Sequence, residues 1–294
     1  MDCTLRWAID IASWEPSESE FDYLLGLIPR EDAQACVGFK FRADQKRALV
    51  SRLLQRSACV AALGVEFDHV VIKRTKGKKP FFAGTADKAR CPNFNFNVSH
   101  EGDFVVLISE PLCLCGVDVA APGQLRRKPG TSIRNALEAF RSQLTPHEWS
   151  SLEAAMSEED MERTFQRHWS LKEAFVKARG DGLGFPLQSC EFRFPKGLWQ
   201  NTATLYIDGS FQTRWRFHLE ELRGGHWVSV ARGPPEAAVD ANKEFTATFQ
   251  KPIIDEAILK EFLEVPNPTF KYLGISDIIP DNKKEAYMVL LQDK

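Results

Sequence analysis

No apolar run in this chain approaches the roughly 20 residues that a membrane-spanning helix needs. The first fourteen residues lack a basic flank and a long apolar stretch, so no secretory signal is expected. Net charge is small, −2 over 294 residues. That excludes a molecule-wide field steering the chain to nucleic acid or membrane, and any anion site must be a local cluster. There is no Walker A pattern, so a P-loop nucleotide site is not expected. The seven cysteines are odd in number and scattered. Cys113 and Cys115 stand among apolar neighbours and read as core thiols rather than metal ligands. The setting expected is cytosolic and reducing.

What is present is ordinary for a soluble globular chain, 44% hydrophobic and 27% charged. The length exceeds one small core, so one large or two modest domains are expected. Residues 5–11 alternate and predict a strand. Short helical patterns follow at 20–27 and from Pro29, then a long one at 43–63 with Gly64 just past its end. Arg42, Lys46, Arg47, Arg52 and Arg56 make that helix basic off its buried face. A β-branched strand at 70–74 runs into a basic turn, Arg74-Thr75-Lys76-Gly77-Lys78-Lys79-Pro80. Residues 93–99 alternate strictly: Phe94, Phe96 and Val98 face one way, Asn93, Asn95, Asn97 and Ser99 the other. His100-Glu101-Gly102-Asp103 reads as a turn, followed by strands at 104–108 and 112–119.

Residues 122–129 make the best internal linker. A helical run at 133–143 follows. Thr145-Pro146-His147-Glu148 then has the form of a capping box with proline at its first helical position. Ser157 offers the next cap, feeding a long helix that Gly180 ends. Strands are expected at 190–194, 203–207, 211–219 and 227–231, with hairpin turns at Asp208-Gly209 and Gly224-Gly225. Strands joined by short turns predict mainly antiparallel sheets, and hence an α+β fold of two similar halves packed face to face. The halves are expected at 1–121 and 122–235. Residues 236–294 read as an extension with one amphipathic helix near 253–263 and no chemistry.

Three motifs carry the chemistry. In Trp169-Ser170-Leu171-Lys172-Glu173-Ala174-Phe175-Val176-Lys177, residues Leu171, Ala174 and Phe175 share a helical stripe with Ala178, while Glu173 and Lys177 stand four apart on another. Alone, that pair is an unremarkable surface ion pair. Gly116-Val117-Asp118-Val119 puts a carboxylate near the end of an apolar strand, where it must be solvated, paired or bound to a cation. In Asn97-Val98-Ser99-His100, the histidine alone reads as a turn residue, but the amide row behind it calls for hydrogen-bond partners. The basic turn with its glycine suits a polyanion, although a solvated surface turn or a nuclear-localisation signal also fits its composition. If Glu173 meets Asp118, two carboxylates are available to Mg²⁺, which takes one or two carboxylates plus waters and phosphate oxygens.

In this order the motifs resemble the surfactin-synthetase (Sfp-like) class of 4′-phosphopantetheinyl transferases, over roughly residues 5–232. The resemblance implies two pseudo-symmetric α+β halves with coenzyme A in the cleft between them. It implies transfer of phosphopantetheine to a serine of an apo carrier protein, with release of adenosine 3′,5′-bisphosphate. By motif match, Asp118 and Glu173 would hold Mg²⁺, and Lys177 would contact a phosphate. Asn97, Ser99 and His100 would bind coenzyme A, with Arg74, Lys79 and Arg42 at its nucleotide end. Glu173 would act as base, directly or through water. The partners implied are apo acyl carrier domains of the fatty-acid-synthase type and that of an aminoadipate-semialdehyde dehydrogenase, with no nucleic acid and no membrane; the enzyme is expected as a monomer. Arg126, Arg127 and Lys128 are candidates for a basic rim facing an acidic carrier. Two positions depart from the family pattern: Ala120 stands where bacterial relatives have a second carboxylate, and Lys78-Lys79-Pro80 replaces Gly-Lys-Pro.

Two rival readings remain at this level. A coenzyme A-thioester acyltransferase would need no divalent ion. An RNA-binding module would bind with strong salt dependence, but the chain has no stacking-aromatic pattern near the basic turn.

Overall fold

The alternating segment at the start is a strand, β1 (Arg6–Asp10), in a computed structural model that describes residues 3–125, 130–195, 197 and 200–292. Helices α1 (Glu18–Leu25), α2 (Arg30–Val37) and α3 (Arg42–Leu63) follow. Gly64 ends α3 in the left-handed region, φ 65°, where a side chain would be strained. Next come β2 (Ile72–Arg74), β3 (Pro80–Phe82), β4 (Asn95–Glu101), β5 (Phe104–Glu110) and β6 (Leu114–Ala120). The chain continues through α4 (Ile133–Leu137), a 3₁₀ turn, α5 (Pro146–Glu153) and α6 (Glu158–Arg179). The capping box predicted from Thr145 and Glu148 is formed. Strands β7 (Cys190–Arg193), β8 (Thr202–Ile207), β9 (Ser210–Phe211), β10 (Arg216–Leu222) and β11 (His226–Gly233) complete the second sheet. The predicted basic-rim residues Arg126, Arg127 and Lys128 lie outside the described residues.

The two large sheets have strand orders β12-β1-β5-β4 and β6-β11-β10-β8-β7, where β12 is Lys271–Tyr272 and β9 pairs with β8, and β2 and β3 form a separate two-stranded sheet. All pairings are antiparallel except β12 on β1. Strand alternation sorts the side chains into layers. Val105 and Leu107 of β5 face the cluster under α3, whereas Phe104, Val106 and Ile108 meet Cys115, Val117 and Val119 of β6. The order of layers is therefore α3, sheet, sheet, α6, an α+β architecture with the sheets face to face. Both outer helices have 22 residues. β6 falls within the predicted first half, 1–121, yet pairs along its whole length with β11 of the second sheet.

Three local expectations change. The predicted strand 211–219 is broken: Phe211 turns back onto β8 through Asp208 and Gly209, both at positive φ, and β10 starts only at Arg216. His100 and Glu101 belong to β4, and the reversal is confined to Gly102 and Asp103. The predicted extension adds a strand to the first sheet and is tied to the second by side-chain contacts. β12 lengthens the first sheet, Arg232 donates to the carbonyls of Phe262 and Val265 around α7 (Glu256–Glu264), and Tyr287 of α8 (Asp281–Gln292) stacks on Tyr23 and bonds Glu20. Beneath this, Glu110 pairs with both Arg6 and Arg232 in the interior.

Cys3 and Cys91 form a disulfide across 88 residues, where reduced thiols are expected from the sequence. Both chain segments converge on Ala62 near the end of α3, bringing the two Cα atoms to 6.2 Å, within the range a disulfide spans. Cys36, Cys59, Cys113, Cys115 and Cys190 are buried free thiols.

Candidate active site

The site begins at two sheet edges. β4 and β6 are both edge strands, and unpaired edge groups buried between layers need partners. The amide row supplies them. Asn95 accepts from Cys115 N–H at 3.0 Å and donates to Cys113 O at 2.8 Å. Asn97 accepts from Val117 N–H at 2.9 Å, and Ser99 Oγ accepts from Val119 N–H at 3.4 Å. Side chains of one strand thus stand in for the missing neighbour of the other. Asn97 lines the cleft while its Oδ1 serves this stitching.

Helix α6 lies flush on β6 because Gly116 has no side chain. A methyl there would overlap the carbonyl of Ala174 and the amide of Ala178. The close approach brings the last turns of α6 beside the end of β6. Lys177 Nζ lies 2.6 Å from Asp118 Oδ1, and Ser99 Oγ donates to the same oxygen at 2.9 Å. Lys177 also donates to Ser99 Oγ at 2.9 Å. Glu173 stands one turn earlier, half-buried. Burial first, then the negative charge of Asp118, raises its pKa above the usual carboxylate range, with Lys177 pulling the other way. The two predicted acids are therefore near enough to feel each other.

Ser99, Glu173 and Lys177 open onto a cleft of about 1070 Å³. Ser51 and Arg52 of α3 line one wall, Arg74, Lys76 and Lys78 of the basic turn another, and Ser99, His100, Glu173 and Lys177 the floor. Burial, then the neighbouring Arg52, lowers Arg74 from its ordinary value. His100 is open to the cleft at its edge. The surrounding protein, then Lys177, Arg47 and Arg52, push its pKa down to about 4.

Two predicted ligands do not present their charge to the cleft. Arg42 lies at the start of α3, with its guanidinium 3.7 Å from the Phe21 ring centroid and bonded to Gln45, outside the cleft. Ten residues on, Arg52 takes the cleft position. It is one of five cations of a basic helix in the sequence, and which of them faces a cleft depends on the packing of α3. Lys79 borders the cleft, but its ammonium turns inward to Cys115 O at 2.7 Å and Lys177 O at 3.2 Å, and burial lowers its pKa to about 8. Lys78 faces out with φ 70°, the conformation a glycine takes without strain. That accounts for the altered Gly-Lys-Pro pattern: the turn keeps a left-handed residue and gains a cation.

The motif's other lysine is structural. Lys172 is fully buried, 2.8 Å from Glu148, and donates to the carbonyls of Leu187 and Cys190. Glu148 also accepts from the amides of Thr145 and Phe192. Burial holds its pKa above the usual carboxylate range despite Lys172. His168, 3.8 Å from Glu148, is held neutral by burial and then by Lys172, with a pKa of about 3.

The donor set suits Mg²⁺ shared with a substrate. Asp118 and Glu173 are two hard oxygen donors that repel one another, which a divalent cation would relieve, and the remaining positions would go to water and phosphate oxygens. Among the described residues there is no cluster of three His, Cys, Asp or Glu side chains able to hold a metal by protein alone.

Two helix-backed, mainly antiparallel sheets thus frame a cation-lined cleft with Glu173 and Lys177 on its floor and Asp118 behind them, an arrangement suited to handling phosphate groups. Residues 12–112 match the family model for the 4′-phosphopantetheinyl transferase N-terminal region, and residues 114–231 match that of the 4′-phosphopantetheinyl transferase superfamily; the chain belongs to this family. It is 32% identical over 249 residues to the L-aminoadipate-semialdehyde dehydrogenase-phosphopantetheinyl transferase of Mus musculus, covering 82% of this chain and 78% of that one. The corresponding protein of Xenopus laevis is 35% identical over 236 residues, covering 78% and 76%. A Bacillus subtilis 4′-phosphopantetheinyl transferase is 28% identical over 179 residues, covering 60% and 71%. The reaction class of the chain is therefore transfer of phosphopantetheine from coenzyme A to a carrier protein.

Proposed function

We propose that this enzyme uses Mg²⁺ to transfer the phosphopantetheine arm of coenzyme A to a serine of apo acyl carrier domains. The observation that carries the reading is the presence of Glu173 and Lys177 on a cleft walled by Arg52, Arg74, Lys76 and Lys78, with Asp118 directly behind them, paired to Lys177 and close enough to Glu173 to raise its pKa. In the reaction, the carrier serine oxygen bonds to the β-phosphorus while the bond from that phosphorus to the bridging oxygen breaks. Adenosine 3′,5′-bisphosphate leaves. Glu173 takes the serine proton, directly or through a water. Lys177 neutralises charge on the pyrophosphate oxygens, and the arginines and lysines of the walls hold the nucleotide phosphates. Mg²⁺, held by Asp118 and Glu173, would supply Lewis-acid stabilisation of the diphosphate.

The partners proposed are carrier domains of fatty-acid-synthase type and that of an aminoadipate-semialdehyde dehydrogenase, the latter supported by the names of the relatives. The test is direct: incubate the protein with coenzyme A, Mg²⁺ and an apo carrier domain, and weigh the carrier. Wild type adds one phosphopantetheine per domain. Glu173→Ala leaves the carrier apo while keeping the native circular dichroism and melting point. A Glu173→Ala enzyme that transfers at the wild-type rate removes this residue from the mechanism.

A further inference from the structure

Lys79 stands where four parts of the molecule meet: the basic turn, β6, the end of α6 and the C-terminal segment. Its side chain is buried, with 3% of the residue exposed. Among the described residues no carboxylate raises or neutralises it; the charge is spent on backbone carbonyls. Those two carbonyls belong to Cys115, three residues before Asp118, and to Lys177 itself. A cation on the last carbonyls of a helix is favourable, because those groups have no partner within the helix and carry the negative end of its dipole. Here the same cation also satisfies an edge carbonyl of β6, so one ammonium ties the strand that carries Asp118 to the turn that carries Lys177.

The C-terminal segment closes this junction. Val239 N–H donates to Arg179 O at 2.8 Å, satisfying another terminal carbonyl of α6. The Phe245 ring lies 5.7 Å from Lys79 Nζ and is itself fully buried. Asp240 Oδ2 fixes it by accepting from the amides of Phe245 and Thr246 at 2.8 and 2.9 Å. Phe245 thus covers the ammonium and keeps water from competing for the two carbonyls.

We propose that Lys79 is a positioning residue of the transferase, shielded by Phe245, and that its ammonium sets the spacing of Asp118 and Lys177 without contacting coenzyme A. The kinetic part of this proposal rests on the transferase reading; the structural part does not. Small displacements of reacting groups lower turnover while leaving the binding of a large ligand intact.

The test uses Lys79→Met, Lys79→Arg and Phe245→Leu in the full chain, with calorimetry of coenzyme A binding, turnover of an apo carrier and amide hydrogen exchange. Lys79→Met is expected to lower kcat about tenfold or more, with the Kd of coenzyme A changed less than about threefold. Exchange at the amides of residues 116–118 and 178–180 should accelerate. Lys79→Arg should recover most of the turnover. Phe245→Leu should show the same selective loss at smaller size, and decides the matter if Lys79→Met does not fold. A tenfold weaker Kd with kcat preserved at saturation would make Lys79 a coenzyme ligand and overturn the proposal. Unchanged turnover and exchange in Lys79→Met would overturn it as well. If wild type itself fails to transfer, the transferase reading falls, and the exchange data alone still decide whether Lys79 joins β6 to α6.

Discussion

Lys177 Nζ lies 2.6 Å from Asp118 Oδ1, an ion pair between the last turn of a helix and the end of an edge strand 59 residues earlier. Ser99 contributes a third group from the other sheet. The pair puts a movable positive charge beside an acid that is also offered to a divalent ion.

That arrangement predicts metal dependence. Transfer should stop in excess EDTA and return on addition of Mg²⁺. Asp118→Asn keeps the shape and weakens the donor, so half-maximal rate should need at least about tenfold more Mg²⁺. Full transfer in EDTA would remove the divalent ion from the mechanism.

Gly116 is required by the backbone of α6. Gly116→Ala forces the helix off β6, and overpacking of this kind costs about 1–3 kcal/mol. Because the shifted helix carries Glu173 and Lys177, transfer should fall more steeply than stability. Urea unfolding and carrier mass measured on one preparation compare the two, and an unchanged midpoint with full transfer would refute the contact.

Lys172 belongs to the sequence motif yet supports the fold. Lys172→Met strands the Glu148 carboxylate in the interior, and removing one partner of a buried pair costs about 3–5 kcal/mol. The double variant Glu148→Gln/Lys172→Met should regain most of that. At a temperature where both are folded, turnover should remain within a few-fold of wild type, as neither side chain reaches the cleft. Equal destabilisation of single and double variants would contradict the pairing.

His168 gives a pH dependence with a definite sign. Its pKa is depressed in the folded state, to about 3, so the folded protein keeps it neutral while the unfolded chain protonates near 6.5. The stability this provides is complete above pH 6.5 and is lost as pH falls. Between pH 7 and 5 the loss from this group amounts to about 2 kcal/mol. His168→Leu should remove that slope, read as the difference between denaturation midpoints of variant and wild type at the two pH values. Parallel profiles would show that His168 is not held neutral by the fold. His100, depressed to about 4, acts in the same direction.

The local elements were legible because local chemistry decides them. Gly64 and Gly180 mark helix ends, Thr145 and Glu148 form their capping box, and Asp208-Gly209 turns the chain. The amide row announced its need for partners through simple alternation, and β6 turned out to be what it serves. The 211–219 strand was misread because Phe211 has a better partner in β8 than in its own continuation, a choice that residue order alone does not express.

What the sequence by itself determined is the inventory: the elements, the three motifs and the identity of Asp118, Glu173 and Lys177 as the residues to bring together. Only the tertiary structure decided that Arg52 rather than Arg42 walls the cleft, that the Lys79 charge is spent inside, that Lys172 answers Glu148, and that the C-terminal segment adds a strand to the first sheet. The reason is range. Periodicity and capping act within a few residues, whereas the direction of a long cationic side chain is set by whichever carbonyl, carboxylate or solvent packing brings within its reach.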